Sequence, residues 1–212
     1  MASDAGEIVV LAGVNGAGKS SVAGAALERV GGTLYDPDKA TRAFMAQGLT
    51  QEEANARAWH RGREQLEDAL RDGRRYAFET TLGGRTMTRL LLDAATRGRR
   101  VRVWYVGLAS LELHMKRVKE RVERGGHDIP EARIRERWDS SRENLVRFLP
   151  HLAELVVFDN SRSVAVEAGE APEPVKLLHL RDGRLGYVAP LDDVPTWAKS
   201  IVEAALRIHD SA

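Results

Sequence analysis

Eight consecutive residues, Gly13-Val14-Asn15-Gly16-Ala17-Gly18-Lys19-Ser20, have the types and spacing needed to hold a chain of phosphates. They fit Gly-x-x-x-x-Gly-Lys-Ser/Thr at every specified position. Glycines lack a Cβ, so the backbone can wrap a polyphosphate closely with successive N–H groups turned inward. Lys19 is placed to reach the β- and γ-phosphates, and the Ser20 hydroxyl is a suitable oxygen ligand for Mg²⁺. Ser21 closes the binding stretch. A helix starting here would add the positive end of its dipole. ATP and Mg²⁺ are the cofactors that this chemistry implies.

Two sets of carboxylates could complete a reaction centre. Asp36-Pro37-Asp38 follows a short strand, Thr33-Leu34-Tyr35. Pro37 cannot continue a central strand, which puts both aspartates on a loop at its carboxyl end. That edge is where open α/β sheets bind ligands. One carboxylate would contact Mg²⁺ through water and the other would accept a hydroxyl proton. A turn that uses Asp and Pro for its geometry alone would have the same sequence. Glu79, Thr80 and Thr81 stand after a third strand, Tyr76-Ala77-Phe78, where a carboxylate and two hydroxyls suit a polyhydroxylated substrate. The competing role there is a helix N-cap. The fourth strand ends in Val106-Gly107-Leu108, without the Mg²⁺-binding Asp expected of motors and GTPases.

Residues 116–147 hold ten Lys or Arg against seven Asp or Glu, a net of +3 where the whole chain carries +1. Their centre is Arg124-Gly125-Gly126-His127. A helix–glycine–helix segment of this composition reads as a lid that closes over a triphosphate and excludes water. Most of its arginines also fit solvated i,i+4 ion pairs. Arg124 at the hinge and Arg137 on the second helix are the two assigned to the phosphates, and His127 is read as a turn residue.

Alternating elements position these groups. Glu7 to Ala12 is a β-branched apolar strand, and Ser20 to Val30 has one apolar helical face. Lys39 to Gly48 is a short helix, and Thr50-Gln51-Glu52-Glu53 is a capping box opening a helix to about Arg71. Helices over Thr86–Thr96, Ser110–Arg124 and Glu131–Phe148 alternate with strands at Val101–Leu108 and Leu155–Phe158. The four tryptophans are assigned to core packing. The fold class is α/β: a P-loop kinase-like, parallel five-stranded sheet with helices on both faces and an arginine-rich lid. The core spans 7–161 and the lid about 116–147. A hairpin around Arg181-Asp182-Gly183-Arg184 and a helix from Pro195 form an appendage at 175–210, all within one domain, 1–212.

Composition removes other classes. Lys plus Arg (32) balance Asp plus Glu (31), which gives no electrostatic case for nucleic acid or membrane partners. The absence of cysteine excludes disulfides, thiolate metal sites and cysteine catalysis. No signal peptide and no membrane-length apolar stretch is present, so a cytoplasmic location is expected.

The phosphate loop, Asp36-Pro37-Asp38, Phe78-Glu79-Thr80-Thr81-Leu82 and Arg124-Gly-Gly-His-Asp-Ile-Pro with Arg137 occur in this order. In this the chain resembles the zeta toxin family of P-loop kinases over about Glu7 to Ser161. The resemblance implies ATP-dependent phosphorylation of the 3′-hydroxyl of UDP-N-acetylglucosamine, a nucleotide sugar, with an antitoxin protein as candidate partner. It makes Lys19 the phosphate cradle, Asp38 the base, and Glu79, Thr80 and Thr81 the sugar contacts. Arg124 and Arg137 become stabilisers of the moving phosphoryl group, and Asp36 is left with Ser20 for the metal. A kinase of another metabolite or antibiotic hydroxyl fits the same general geometry. A nucleotide-regulated binding protein with weak ATPase activity is the reading from a different class.

Overall fold

Ile8-Val9-Val10-Leu11-Ala12 is apolar at every position and buried at every position, as a strand enclosed on both faces and both edges must be. A computed structural model of the chain describes residues 6–20, 22, 34–126, 128–162 and 173–211. The strands are β1 (Ile8–Ala12), β2 (Leu34–Tyr35), β3 (Tyr76–Thr80), β4 (Val101–Gly107), β5 (Glu154–Asp159), β6 (Val175–Arg181) and β7 (Arg184–Val188). They form one sheet in the order β2-β3-β1-β4-β5-β6-β7. The first five are parallel; β6 pairs antiparallel with β5, and β7 pairs antiparallel with β6.

The sheet is thus larger than the five strands expected, because the hairpin extends it instead of forming an appendage. The cause lies in β6, whose Leu177, Leu178 and Leu180 are buried and continue the main core. Asp182 (φ 47°) and Gly183 (φ 76°) both take left-handed backbone, the signature of the tight Asp-Gly turn.

The described helices are α1 (Pro37–Met45), α2 (Gln51–Arg71), α3 (Arg85–Thr96), α4 (Leu111–Glu123), α5 (Glu131–Phe148) and α6 (Lys199–Asp210). Thr50 and Glu53 form the capping box of α2, and Ser110 caps α4. Three local expectations change. Pro37 and Asp38 lie in the first turn of α1, not on a loop, because Asp36 caps that helix and proline suits its first position. Glu79 and Thr80 belong to β3 itself. Trp59 is 42% exposed, so it is not a core tryptophan, unlike Trp104 and Trp197.

Ile8, Val10 and Ala12 face the main core, with Phe78, Val103, Tyr105, Leu155 and Val157 and with Leu145 and Phe148 of α5. Leu11 faces the other side with Trp104, Val106 and Val156 against Ala17 and Val22. A smaller cluster of Val14, Val118, Ile129 and Ile134 joins the phosphate loop to α4 and α5. The helical segment read as a lid thus packs on the phosphate loop through Val118, Ile129 and Ile134. From β1 the chain passes to β2 and β3 on one side, then crosses to β4 on the other. The carboxyl end of β1 is thus a topological switch point. Most of the helix expected at 20–30, and Ser21, His127 and most of the 163–174 connector, lie outside the described residues. Among the described residues no helix is long and apolar enough to cross a membrane.

Candidate active site

The phosphate loop leaves β1 at the switch point. Its first amide, Gly13 N–H, donates to the Thr80 carbonyl of β3 at 3.2 Å. Gly16 (φ 82°) and Gly18 (φ 79°) then take left-handed backbone, where a side chain would be strained. Lys19 folds back over the loop and donates from Nζ to the Gly13 carbonyl at 3.1 Å. Burial lowers the pKa of this ammonium; the nearby carboxylates of Glu79, Asp38 and Asp36 oppose the shift, and Arg121 reinforces it. Asn160, directly after β5, donates from Nδ2 to the Ala17 carbonyl at 2.9 Å. Ser20 is exposed at the loop's end.

The carboxylates converge on Lys19 from two strands. Asp36 Oδ1 accepts from the amides of Asp38 (2.8 Å) and Lys39 (3.1 Å), which fixes the first turn of α1. Asp38 is thereby oriented from a helix terminus, and its Oδ2 accepts from Arg121 Nη1 at 3.1 Å. Glu79 lies opposite Leu11 in the register of β3 on β1. Burial raises its pKa; Lys19 opposes that, and Asp36 and Asp38 add to it. The Thr80 and Thr81 hydroxyls accept from the amides of Leu82 (3.1 Å) and Gly83 (3.5 Å) and so shape the following turn. The helix-cap alternative for this segment does not hold: α3 is capped at Gly84 without a side chain.

Helix α5 ties down that turn. Ser141 Oγ donates to the Thr81 carbonyl (2.6 Å), Ser140 Oγ to Gly83 (3.2 Å) and Asn144 Nδ2 to Leu82 (2.9 Å). Arg137 packs so tightly on Gly83 that a Cβ there would lie 2.9 Å from its Cγ. Its Nη1 donates to Asn15 Oδ1 of the phosphate loop at 2.7 Å. Burial lowers its pKa, and among the nearby charges is Asp38.

Lys19, Asp36, Asp38, Glu79 and Arg137 are thus brought to one crevice, with Ser20 at the loop's end. Arg124, by contrast, is an exposed residue at the C-cap of α4. The guanidinium that α4 sends to the carboxylates is that of Arg121, almost one helical turn earlier. Sequence reasoning missed Arg121, Asn160 and His114. The first was hidden among ten basic residues. Asn160 could have been found from its place at the carboxyl end of a strand. His114 is wholly buried, and its Nδ1 lies 2.8 Å from the Asn15 carbonyl.

The donor set suits ATP and its metal. A half-buried ammonium, a glycine loop and two arginines can neutralise a triphosphate. The Ser20 hydroxyl, next in the chain to a lysine that has carboxylates nearby, is a hard oxygen donor of the kind Mg²⁺ takes together with phosphate oxygens and water. Among the described residues no cluster of three or more His, Asp or Glu could hold a metal without them.

Comparison with known proteins bears on the fold. A chain of the AvrRxo1-ORF1:-ORF2 complex with ATP has the same fold at 16% identity (TM-score 0.63), the match covering 94% of this chain and 63% of that one. This chain therefore spans less than two thirds of that relative. A chain of the native AvrRxo1-ORF1:-ORF2 complex matches at 17% identity (TM-score 0.59), covering 95% and 70%. A chain of the PezAT chromosomal toxin–antitoxin system of Streptococcus pneumoniae matches at 16% identity (TM-score 0.53), covering 82% and 77%. No curated protein matches. The family model described as AAA domain matches residues 8–146, well over half of the chain. The chain belongs to that AAA domain family, in a P-loop kinase-like form.

Proposed function

We propose that this phosphotransferase moves the γ-phosphoryl group of ATP to a sugar hydroxyl, with the 3′-hydroxyl of UDP-N-acetylglucosamine as the acceptor. The observation that carries the proposal is the convergence of Lys19, Asp38 and Glu79 on one crevice at the carboxyl ends of β1, β2 and β3. Donor and acceptor chemistry need such neighbours.

In this mechanism the loop amides and Lys19 hold the triphosphate. Ser20 would hold Mg²⁺ directly and Asp36 through water, and the ion would supply charge neutralisation across the β- and γ-phosphates. Asp38 accepts the acceptor's O–H proton while the acceptor oxygen bonds to the γ-phosphorus. The bond from that phosphorus to the β–γ bridging oxygen breaks, and ADP leaves. Arg121 and Arg137 neutralise the transferring group, and residues 116–147 act as the lid that brings them in. Arg124 belongs to the same lid as a hinge residue. Glu79, Thr80 and Thr81 orient the sugar through their oxygens. An antitoxin partner is part of the proposal, supported by the fold shared with the PezAT chain.

The test incubates the protein with labelled ATP and a panel of nucleotide sugars and other metabolites, beside Asp38→Asn. Label on UDP-N-acetylglucosamine is expected, with Asp38→Asn slower by about 10²- to 10⁴-fold. Unchanged transfer by Asp38→Asn would refute the base. Label on another metabolite would keep the kinase and replace the acceptor, whereas hydrolysis alone would leave a nucleotide-regulated binding protein.

A further inference from the structure

His114 does work that the transfer mechanism leaves unassigned. It is wholly buried on α4 (0% exposed), and its Nδ1 lies 2.8 Å from the Asn15 carbonyl. A carbonyl can only accept, so Nδ1 carries the proton and the ring is the Nδ1–H tautomer. Its Nε2 is buried with no hydrogen-bond partner among the described residues. The ring edge packs on Trp138 of α5 with centroids 5.1 Å apart. Burying an unsatisfied ring nitrogen is unfavourable, so a side chain that only filled this space would be better apolar. Its hydrogen bond goes to the phosphate loop.

The consequence of that contact follows from the peptide bond. The Asn15 C=O and the Gly16 N–H belong to one planar trans unit and point in opposite directions. Drawing the carbonyl toward α4 therefore turns the Gly16 amide away from α4, toward the hollow that the loop encloses. The same stretch of α4 limits the loop from outside: a Cβ on Gly16 would lie 2.7 Å from the His114 carbonyl oxygen. Helix α4 thus holds the Gly16 backbone in two ways, by close approach at Gly16 itself and by the hydrogen bond to the carbonyl just before it.

We propose that His114 is a positioning residue for nucleotide binding, which orients the Gly16 amide toward the phosphates of ATP through the Asn15 carbonyl. The inference rests on the phosphate-loop reading, not on the identity of the acceptor. The groups facing the ring, Lys19 from the loop, Arg117 from α4 and Arg142 from α5, are all cations. Burial and these cations keep it neutral, and in the tautomer fixed by the Asn15 carbonyl the Nδ1–H donor is in place.

The test measures MgATP affinity calorimetrically, without acceptor, on the full chain and three variants, beside their thermal midpoints. Asn carries an amide near the Nδ1 position, Gln near Nε2, and Phe has neither. His114→Phe and His114→Gln are expected to bind MgATP about tenfold more weakly, the equivalent of one lost hydrogen bond. His114→Asn is expected within about threefold of the unmodified chain. A merely structural histidine would move thermal midpoints without separating Asn from Gln. Equal MgATP affinity for a folded Gln or Phe variant, or equal loss in the Asn variant, would overturn the proposal. If His114→Phe does not fold, the Asn and Gln pair decides alone. Because no acceptor is present, failure of the sugar-kinase reading would leave these affinities untouched.

Discussion

The sheet carries a charged cluster at each end, and the two are built differently. At the amino end Glu7 and Glu154, 3% and 1% exposed, close on Arg102, which lies against Glu7 and 3.7 Å from Glu154. His179 reaches Glu154 at 2.7 Å, and Arg100 joins Glu7 (4.0 Å) to Asp182 (3.1 Å). Strands β1, β4, β5 and β6 are riveted together there by partners already in contact. At the carboxyl end Asp38 pairs with Arg121 at 3.1 Å, but Lys19, with Glu79 and Asp38 nearby, makes its direct hydrogen bond to a neutral carbonyl. The first cluster spends its electrostatics on itself. The second holds opposite charges near each other without fully quenching them, which is what a site for an anionic ligand requires.

Substitutions at the two ends should therefore fail in opposite ways. Lys19→Ala is expected to lower the rate of phosphoryl transfer about a thousandfold while the thermal midpoint holds or rises, because a half-buried cation is removed. Steady-state kinetics beside a melting curve checks both halves. Arg102→Met should do the reverse: a loss of about 3–5 kcal/mol in urea unfolding, with turnover of the folded fraction unchanged. Comparable damage to turnover from Arg102→Met would erase the distinction between the clusters.

Acid separates the ends as well. Burial, the largest influence on His114, pulls its pKa from 6.5 down to about 4. The unfolded chain thus takes up this proton at higher pH than the folded chain does. The contribution to stability is complete above about pH 6.5 and is lost as pH falls toward 4, on the order of 3 kcal/mol in all. Urea titrations across that window should show the slope in the unmodified chain and a flatter one in His114→Phe. The smallest effect is expected from Asp36→Ser, since serine caps a helix as well as aspartate does. Stability should stay within about 0.5 kcal/mol. If the carboxylate also serves the metal, the Mg²⁺ concentration needed for half-maximal transfer should rise by about tenfold.

What the sequence made legible follows the same division. Local rules sufficed where local chemistry decides: the phosphate loop, the Thr50 capping box, the Asp-Gly turn and α5 from Glu131 to Phe148 all stand where they were expected. Asp38 was expected on a loop at the carboxyl end of β2; it stands at that end, but in the first turn of a helix. Long-range pairing was not legible. Nothing local in Val175–Arg181 says that it lies beside β5, and nothing in Lys116–Arg124 separates Arg121 from Arg124. That choice depends on how α4 is rotated, which Val118 sets by packing against Val14 more than a hundred residues earlier. His114 was passed over for a related reason. A search for metal spacing looks at neighbours in sequence, and its partner is Asn15, 99 positions away.

Trp197 closes the sheet from far along the chain. Its indole lies so close over Gly107, the last residue of β4, that any side chain there would collide, and its Nε1 donates to Asp159 at 3.1 Å. Lys19, Asp38, Glu79 and Arg137 all precede it in the sequence. A chain cut before this ring would keep every proposed reactive group and lose the cover over the ends of β4 and β5.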